Sequence, residues 1–313
     1  MPLLSVHIIT HNNEKHIEKT VQSVLKQKVD FEYEIVVGDD CSTDNTLEII
    51  KRLSLLNTST FKIHKNERQL GILRNFKETL DRCSGVYIFD IAGDDYLNNN
   101  QALQKMVNTF RTHPKIGFID CGYDRFDDST KKITSFKNKD VINGEKETYK
   151  SELLLGKIAP IGHCFNKEAL YKYVDFETYL KKEISIEDYP ILVNMVMNSD
   201  FELLNESLVT YRVHDYSYSH QKNFNEIVSQ KEEMLWLFNH FTKRYNFTET
   251  IKQTYYQSHF KTLLFTAGYF QNKVLGKEAF EIVKKKSLKD YIYFWASQSA
   301  LFRKLISLRK KII

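Results

Sequence analysis

Short apolar runs alternate with amphipathic segments from residue 4 to residue 93, and this alternation constrains the fold more than any other feature. Four runs have the length and β-branched content of buried strands: LSVHIIT, YEIVVG, TFKIHKN and VYIFDIAG. The segments between them have helical spacing: EKHIEKTVQSVLKQ, NTLEIIKRL and GILRNFKETLDRCSG, the last closed by Gly85. Repeating β-α units predict an α/β fold with a mainly parallel sheet and helices on both faces.

The pattern changes twice further along the chain. Between residues 115 and 214 it is mixed, with strand-like IGFIDCGYDRF and HCFNKEALYKY and a helical EDYPILVNMVMNS. From residue 223 onward it is helical, rich in aromatic residues and Lys, and free of Pro. We therefore predict a large α/β domain over 1–220 and an α-helical C-terminal region over 221–313.

Composition excludes several classes of protein. The 313 residues are 42% hydrophobic and 27% charged, which is ordinary for a folded soluble chain. The net charge of +5 is small and the basic residues are scattered outside the C-terminal tail, so no nucleic-acid partner is expected. The four Cys residues lack metal-binding spacing, and the N-terminus lacks a basic region before its first apolar run. We expect a cytoplasmic protein with reduced thiols and no signal peptide or membrane anchor.

Two acidic pairs follow predicted strands. Asp39 and Asp40 come directly after the second strand, and Asp94 and Asp95 come after the fourth. The carboxyl ends of parallel strands meet at one edge of the sheet, where ligands of such folds bind. Carboxylates there can hold a divalent cation together with substrate phosphates. Helix capping is the alternative, since residues 42–44 also supply good capping side chains.

Two further polar clusters lie in the mixed segment. Glu187 and Asp188 precede a helix that has Pro190 in its first turn. Asp188 is either a cap of that helix or a general base that accepts a proton from an attacking hydroxyl. In YRVHDYSYS, Arg212 and His214 could contact phosphate or a metal, although a lone His is more often structural.

Six segments in order resemble the inverting family 2 nucleotide-sugar glycosyltransferases of the bacterial surface-polysaccharide type. They are SVHIITHNNEKHIEKTVQSVLKQ, EIVVGDDCSTDNTLEII, NERQLGILRNF, VYIFDIAGDDYL, EDYPILVNMV and YRVHDYSYS. The resemblance covers about the first 220 residues. It implies the GT-A fold, a Rossmann-like mixed but mainly parallel sheet flanked by helices.

Carried over position by position, the resemblance implies a nucleotide site and a metal site. The nucleotide would be bound by Thr10, Asn12, Asp39, Asp40 and Asp94. Among these, Asp40 would contact the base or ribose and Asp39 would support it. Asp95 would bind Mn²⁺ or Mg²⁺, with His214 near the diphosphate as a further metal contact.

The resemblance also implies the catalytic residues. Asp188 would be the general base and Glu187 would assist acceptor binding in a single in-line displacement that inverts the anomeric carbon. No covalent nucleophile is required. Gly162 and His163 lie where they could line the acceptor site, and packing against a strand explains them equally well.

Three positions depart from the family pattern. His11 stands where Tyr is usual, which bears on base preference. Gly93 stands where the first Asp of a DXD motif often lies, but it leaves both later carboxylates in place. The run 98–100 is Asn where Asp-Pro is more common.

These observations predict an enzyme that transfers a sugar from a nucleotide sugar, most plausibly UDP-linked, to a saccharide or lipid-linked saccharide. One alternative is a non-catalytic relative that binds a nucleotide or saccharide. Another is a nucleotidyltransferase on a similar sheet, which is disfavoured because no Gly-rich phosphate loop follows the first strand.

The C-terminal stretch LFRKLISLRKKII is basic and apolar without any acid. It includes Arg303, Lys304 and the basic run 309–311. Such a helix can lie on an anionic membrane, which would place the protein peripherally on the inner face of the cell membrane. A solvated basic face on a packed terminal helix is an equal alternative.

Overall fold

The computed structural model describes residues 1–55, 61–135, 145–158, 161–214 and 223–303. The chain divides into two compact units, Met1–Ser217 and Tyr218–Ile313. The larger unit contains a sheet with helices around it, and the smaller unit is helical. The basic run 309–311 and Lys304 lie outside the described residues.

One sheet contains all nine strands of the described residues. The strands are β1 (Leu4–Thr10), β2 (Tyr33–Asp39), β3 (Phe61–Lys65), β4 (Tyr87–Ala92), β5 (Tyr96–Leu97), β6 (Phe118–Asp127), β7 (Lys132–Thr134), β8 (Cys164–Asn166) and β9 (Phe201–Val213). Their order is β3-β2-β1-β4-β8-β6-β9-β5, with β7 paired to β6. Strands β3, β2, β1 and β4 are mutually parallel, β6 is parallel to β9, and β8 is antiparallel to both of its neighbours. The prediction of a mixed, mainly parallel α/β sheet is confirmed.

Eight helices of the larger unit accompany this sheet in the described ranges. They are α1 (Ile17–Leu25), α2 (Thr46–Ser54), α3 (Ile72–Leu80), α4 (Ala102–Thr112), α5 (Lys146–Leu154), α6 (Lys167–Tyr173), α7 (Phe176–Lys181) and α8 (Asp188–Asn198). The smaller unit contains α9 (Phe224–Tyr245), α10 (Glu249–Phe270), α11 (Lys273–Ile282) and α12 (Leu288–Gln298). The prediction that the C-terminal region is helical is therefore confirmed.

The core explains why the early strands read as apolar runs. Val6 and Ile8 of β1 and Ile35 and Val37 of β2 are buried in one cluster with residues of the flanking helices. Burial of such side chains is worth roughly 1.5–3 kcal/mol each relative to exposure. This cluster fixes the parallel strands, and with them the polar residues that follow each strand.

Two local expectations were wrong. Helix α3 ends at Leu80 rather than at Gly85, which instead allows close approach of the chain to β1: a Cβ there would lie 2.5 Å from the backbone nitrogen of Ser5. HCFNKEALYKY is mostly helix, because the side chain of Asn166 accepts a hydrogen bond from the Ala169 amide and so caps α6.

Candidate active site at the carboxyl edge of the sheet

The parallel register brings the two acidic turns to one edge. Thr10 at the end of β1 is paired with Asp39 at the end of β2, and Ile9 is paired with Ala92 of β4. The amide of Asp40 donates to the Thr10 carbonyl at 2.8 Å, and the amide of Gly93 donates to Ile9 at 2.9 Å. The residues predicted to bind the nucleotide and the metal therefore lie at or just after the ends of three adjacent strands, β2, β1 and β4.

Asp40 anchors the loop that precedes α3. Its Oδ1 accepts hydrogen bonds from Asn66 Nδ2 at 2.9 Å and the Leu70 amide at 2.7 Å, and its Oδ2 accepts from the Gly71 amide at 2.9 Å. The residue is 4% exposed. A carboxylate has about four acceptor sites, so one remains for a further donor. Sequence reasoning missed Asn66 and Leu70, since nothing in the local pattern links them to a residue some 30 positions earlier.

Asp39 supports the same turn from the interior. Its Oδ2 accepts a hydrogen bond from the Ser42 amide at 3.1 Å, and Cys41 between them has a φ of 60°. Oδ1 is buried and has no hydrogen-bond partner in the described part of the chain. Because Asp39 is fully buried, its position agrees with a supporting role rather than with direct ligand contact.

Residues 10–12 pack beside Asp40. The carbonyl of Asp40 can only accept, so His11 Nδ1, 2.8 Å away, carries the hydrogen. His11 Nε2 is then an acceptor for Asn12 Nδ2 at 3.2 Å. Asn12 Oδ1 accepts from the Thr43 amide at 2.9 Å, which ties the end of β1 to the turn after β2.

Gly93 is explained by its surroundings. A Cβ at this position would lie 2.4 Å from Thr10 Oγ1 and 3.1 Å from Asn13 Nδ2. Any larger residue, including the Asp of a DXD motif, would push Thr10 away. The departure from the family pattern thus has a steric cause and leaves the following carboxylates in place.

Asp94 and Asp95 are held by the last strand of the domain. His214 Nε2 lies 2.9 Å from Asp94 Oδ2, while the Arg212 amide donates to Asp95 Oδ1 at 2.8 Å. The guanidinium of Arg212 donates from Nε to the Asp94 carbonyl at 2.9 Å. Burial, followed by the charge of Asp94, raises the pKa of the Asp95 carboxyl well above its ordinary value. The sequence predicted His214 as a metal contact together with Asp95. In the structure, the His214 ring forms a hydrogen bond with the Asp94 side chain.

The donor set suits a hard divalent cation that is completed by its substrate. Over the described residues, no three His, Cys, Asp or Glu side chains are arranged to hold a metal by themselves. Asp94 and Asp95 supply carboxylate oxygens, and a cation held by them would favour the ionised form of Asp95, whose pKa is raised by burial and then by the charge of Asp94. Mg²⁺ is commonly held in this way, by one or two carboxylates with substrate phosphates.

His16, which the sequence gave no reason to select, lies against His214. The two ring centroids are 4.7 Å apart. Burial and the positive charge of Arg212 lower the pKa of His16 to about 4, so its ring is neutral near pH 7. His16 therefore supports His214 without adding charge to the site.

Glu187 and Asp188 stand at the start of α8. Glu187 occupies the N-cap position but its side chain makes no capping hydrogen bond, and Asp188 Oδ1 accepts from the adjacent Tyr189 amide. Burial raises the pKa of both carboxyls, and the charge of Asp188 further raises that of Glu187. The capping alternative concerned Asp188, which is the first residue of α8 rather than its N-cap and accepts from one amide of the first turn.

A cavity of about 270 Å³ lies beside the loop that Asp40 holds. It is lined on one side by the start of α3 from Leu70 to Arg74, and on the other by residues 180 and 183–185. The first wall includes Leu70 and Gly71, whose amides donate hydrogen bonds to Asp40. The second wall ends shortly before Glu187 in the sequence.

Gly162 and His163 are both buried. Gly162 has a φ of 77°, and a Cβ there would lie 2.3 Å from Val209 Cγ2. The His163 ring stacks on Phe165, and its Nε2 lies 3.3 Å from Asp120 Oδ1. Packing, the alternative that the sequence left open, accounts for both positions.

Comparison with known proteins bears on the family and the fold. The model of the family described as glycosyl transferase family 2 matches residues 5–179. The chain is 25% identical over 248 residues to a chondroitin synthase of Escherichia coli, covering 72% of this chain and 35% of that protein. It is 37% identical over 102 residues to the poly(ribitol-phosphate) beta-N-acetylglucosaminyltransferase TarS of Staphylococcus aureus, covering 31% of this chain and 17% of that protein.

Solved structures show the same fold. The Staphylococcus aureus TarS fragment 1–349 in complex with UDP-GlcNAc has a TM-score of 0.54 at 15% identity and covers 98% of this chain and 91% of that one. The mannosyltransferase PcManGT of Pyrobaculum calidifontis, in complex with GDP-Man and Mn²⁺, has a TM-score of 0.59 at 13% identity and covers 99% and 84%. The fold is GT-A. The chain spans about a third or less of the length of the curated relatives given above.

Proposed function

The chain belongs to glycosyl transferase family 2, and from this premise we propose that it is a metal-assisted, inverting glycosyltransferase. It would use a UDP-linked sugar and a saccharide or lipid-linked saccharide acceptor in polysaccharide assembly. The observation that carries the proposal is the meeting of Asp40, Asp94 and Asp95 at the carboxyl edge of three adjacent strands, where ligands of such folds bind.

Asp40 is the proposed contact for the nucleotide base. Its one remaining acceptor site suits the N3–H of uracil, while Thr10 and Asn12 shape the neighbouring wall and Asp39 fixes the turn. TarS, which has this fold, binds UDP and UDP-GlcNAc. Uracil is therefore the first base to test.

The diphosphate would lie beside Asp94, Asp95 and His214. These residues would hold Mn²⁺ or Mg²⁺ together with phosphate oxygens, and the cation would neutralise charge on the departing diphosphate. Arg212 positions the Asp95 carboxylate through its backbone amide and the Asp94 backbone through its guanidinium.

Asp188 would accept the proton of the acceptor hydroxyl. The hydroxyl oxygen bonds to the anomeric carbon as the bond from that carbon to the diphosphate oxygen breaks, so the configuration inverts in one step. The raised pKa of Asp188 makes it a stronger base than a free Asp when ionised. Glu187 would orient the acceptor beside it.

Calorimetric titration with UDP, GDP, CDP and dTDP, each with Mn²⁺ and with EDTA, tests the nucleotide and metal assignments. We expect Mn²⁺-dependent binding of UDP that is lost in Asp95→Ala and kept in Asp30→Ala, an exposed control. In Asp188→Asn, nucleotide binding should persist while sugar transfer stops. Binding without transfer in the unaltered protein, across activated sugars and acceptors, would favour a non-catalytic binding protein instead.

Membrane attachment is a separate part of the proposal and concerns the smaller unit. None of the helices in the described ranges is both long and apolar enough to cross a bilayer. A surface of α12 and the residues after it exposes Leu288, Tyr291, Trp295, Leu301 and Phe302. Exposed basic residues flank it: Lys284, Lys285, Lys289 and Arg303. Aromatic rings among basic side chains suit the interface of an anionic membrane on the cytoplasmic side.

Co-sedimentation with vesicles tests this attachment. We expect binding to vesicles that contain anionic phospholipid, weaker binding to neutral vesicles, and loss of binding in Trp295→Ser. Val274→Ser, at an exposed apolar residue of α11, is the matched control. Failure of the unaltered protein to bind anionic vesicles would remove the membrane proposal and leave the glycosyltransferase assignment untouched.

A further inference from the structure

A buried histidine and a cleft carboxylate are paired across the centre of the sheet. His7 of β1 and Asp90 of β4 are register partners on neighbouring parallel strands. His7 Nδ1 lies 2.6 Å from Asp90 Oδ1, and His7 Nε2 lies 3.0 Å from the carbonyl oxygen of Phe76 in α3. His7 is fully buried, whereas the Asp90 side chain is 27% exposed.

The two partners of His7 determine where its protons lie. The Phe76 carbonyl can only accept, so Nε2 carries a hydrogen. The short contact between Nδ1 and Asp90 also requires a hydrogen, because a bare ring nitrogen and a carboxylate oxygen would repel each other. The pair therefore holds a second proton, which lies in the hydrogen bond between Nδ1 and Oδ1.

Asp90 acts electrostatically on the carboxylates of the candidate site. Its amide donates to the His163 carbonyl at 3.0 Å. Burial is the main cause of the raised pKa of Glu187, Asp188 and Asp95, and the negative charge of Asp90 adds to it in each case. On Asp188, the opposing positive influence comes from His163. Asp90 is thus an additional negative charge in a site that already contains several.

We propose that His7 holds this proton as an imidazolium, so that it is a positioning residue that fixes the Asp90 side chain and compensates its charge near Glu187 and Asp188. Without the imidazolium, Asp90 would add its full charge to the carboxylates that the reaction uses. The inference deepens the proposed function and rests on it for the role of Asp188, but the protonation of His7 can be tested independently.

A purely structural pair is the competing explanation, since the same hydrogen bonds tie β1, β4 and α3 together. A structural pair would change stability when broken. It would not shift the pH dependence of catalysis when His7 is replaced and leave it in place when Asp90 is replaced. The experiments below depend on this difference.

Nitrogen-15 NMR of histidine-labelled protein tests how many protons the His7 ring carries, and it needs no substrate. At pH 7.5 we expect the His7 ring, assigned by its absence in His7→Gln, to show both nitrogens protonated. Asp90→Asn should convert it to a neutral ring, and His113→Gln, at an exposed histidine, should leave the His7 signals unchanged. A neutral His7 ring in the unaltered protein would overturn the proposal whether or not the chain is a glycosyltransferase.

The pH profile of kcat/KM then tests the effect on Asp188. In His7→Gln, Asp90 keeps a hydrogen-bond donor but loses the compensating charge. The pH at the midpoint of the acidic limb should therefore rise by about one unit. In Asp90→Asn the carboxylate charge and the imidazolium charge are lost together, so the limb should stay close to its position in the unaltered protein. A limb that stays in place in His7→Gln, or that moves up equally in both variants, would overturn the proposal. If no sugar transfer is detected at all, the proposed function fails while the NMR result stands by itself.

Discussion

Replacing Asp40 with Asn should release the loop before α3. The carboxylate accepts three hydrogen bonds, from Asn66 Nδ2 and from the Leu70 and Gly71 amides. The Asn side chain retains one oxygen, which can keep the two bonds of Oδ1. Its amino group must then face the Gly71 amide, so two donors meet. If the Asn side chain is flipped, its amino group faces the Asn66 and Leu70 donors, and two hydrogen bonds are lost rather than one.

The structure sets the size of this effect. One hydrogen bond to a charged group contributes about 1.5–3 kcal/mol, and the remaining bonds weaken when the charge is removed. We expect the free energy of local opening at Gly71 to fall by about 2 kcal/mol, which is about thirtyfold in the opening equilibrium. Hydrogen exchange of the Leu70 and Gly71 amides measures this opening directly.

Asp39→Asn is the matched control, because it makes the same substitution at the neighbouring buried residue. Asp39 holds the Ser42 amide with one oxygen, and its other oxygen has no hydrogen-bond partner in the described part of the chain, so Asn can keep that bond. Unchanged exchange at Leu70 and Gly71 in Asp40→Asn would refute the anchoring role. Equal acceleration in both variants would mean that the whole turn had loosened.

Three further perturbations test the site and the core. Gly93→Ala should weaken Mn²⁺-dependent UDP binding about tenfold, because its Cβ displaces Thr10; calorimetry measures the affinity. The change that Glu187→Gln makes in the free energy of unfolding should be about 1 kcal/mol more favourable at pH 8 than at pH 4. The sign follows because a carboxyl whose pKa is raised by folding contributes stability below its unfolded pKa and loses it as pH rises, whereas Gln does not ionise; urea unfolding at both pH values measures the difference. Gly38→Ala should lower the free energy of unfolding by about 1–3 kcal/mol, because its Cβ would lie 1.8 Å from Thr79 Oγ1; urea unfolding measures this loss.

The early strands could be predicted because their information is local. β1, β2, β3 and β4 begin and end within about a residue of the predicted runs. β1, β2 and half of β4 are buried and so read as nearly continuous apolar sequence, whereas the edge strand β3 is only partly buried. The segment after residue 115 was harder to interpret. Its short strand β8 is stopped by an Asn cap whose effect depends on the following helix, and apolar spacing alone does not distinguish the two elements.

The sequence by itself determined the α/β order, the helical C-terminal region and the acidic turns after β2 and β4, because strand burial and the residues next in the chain are local properties. Only the tertiary structure decided which donors each carboxylate meets. Asp40 holds a loop some 30 residues away, Asp95 is held by the backbone of Arg212, and Asp90 is paired with His7. These partners are set by strand order and register, and contacts between residues 30 to 120 positions apart leave no periodic signal along the chain.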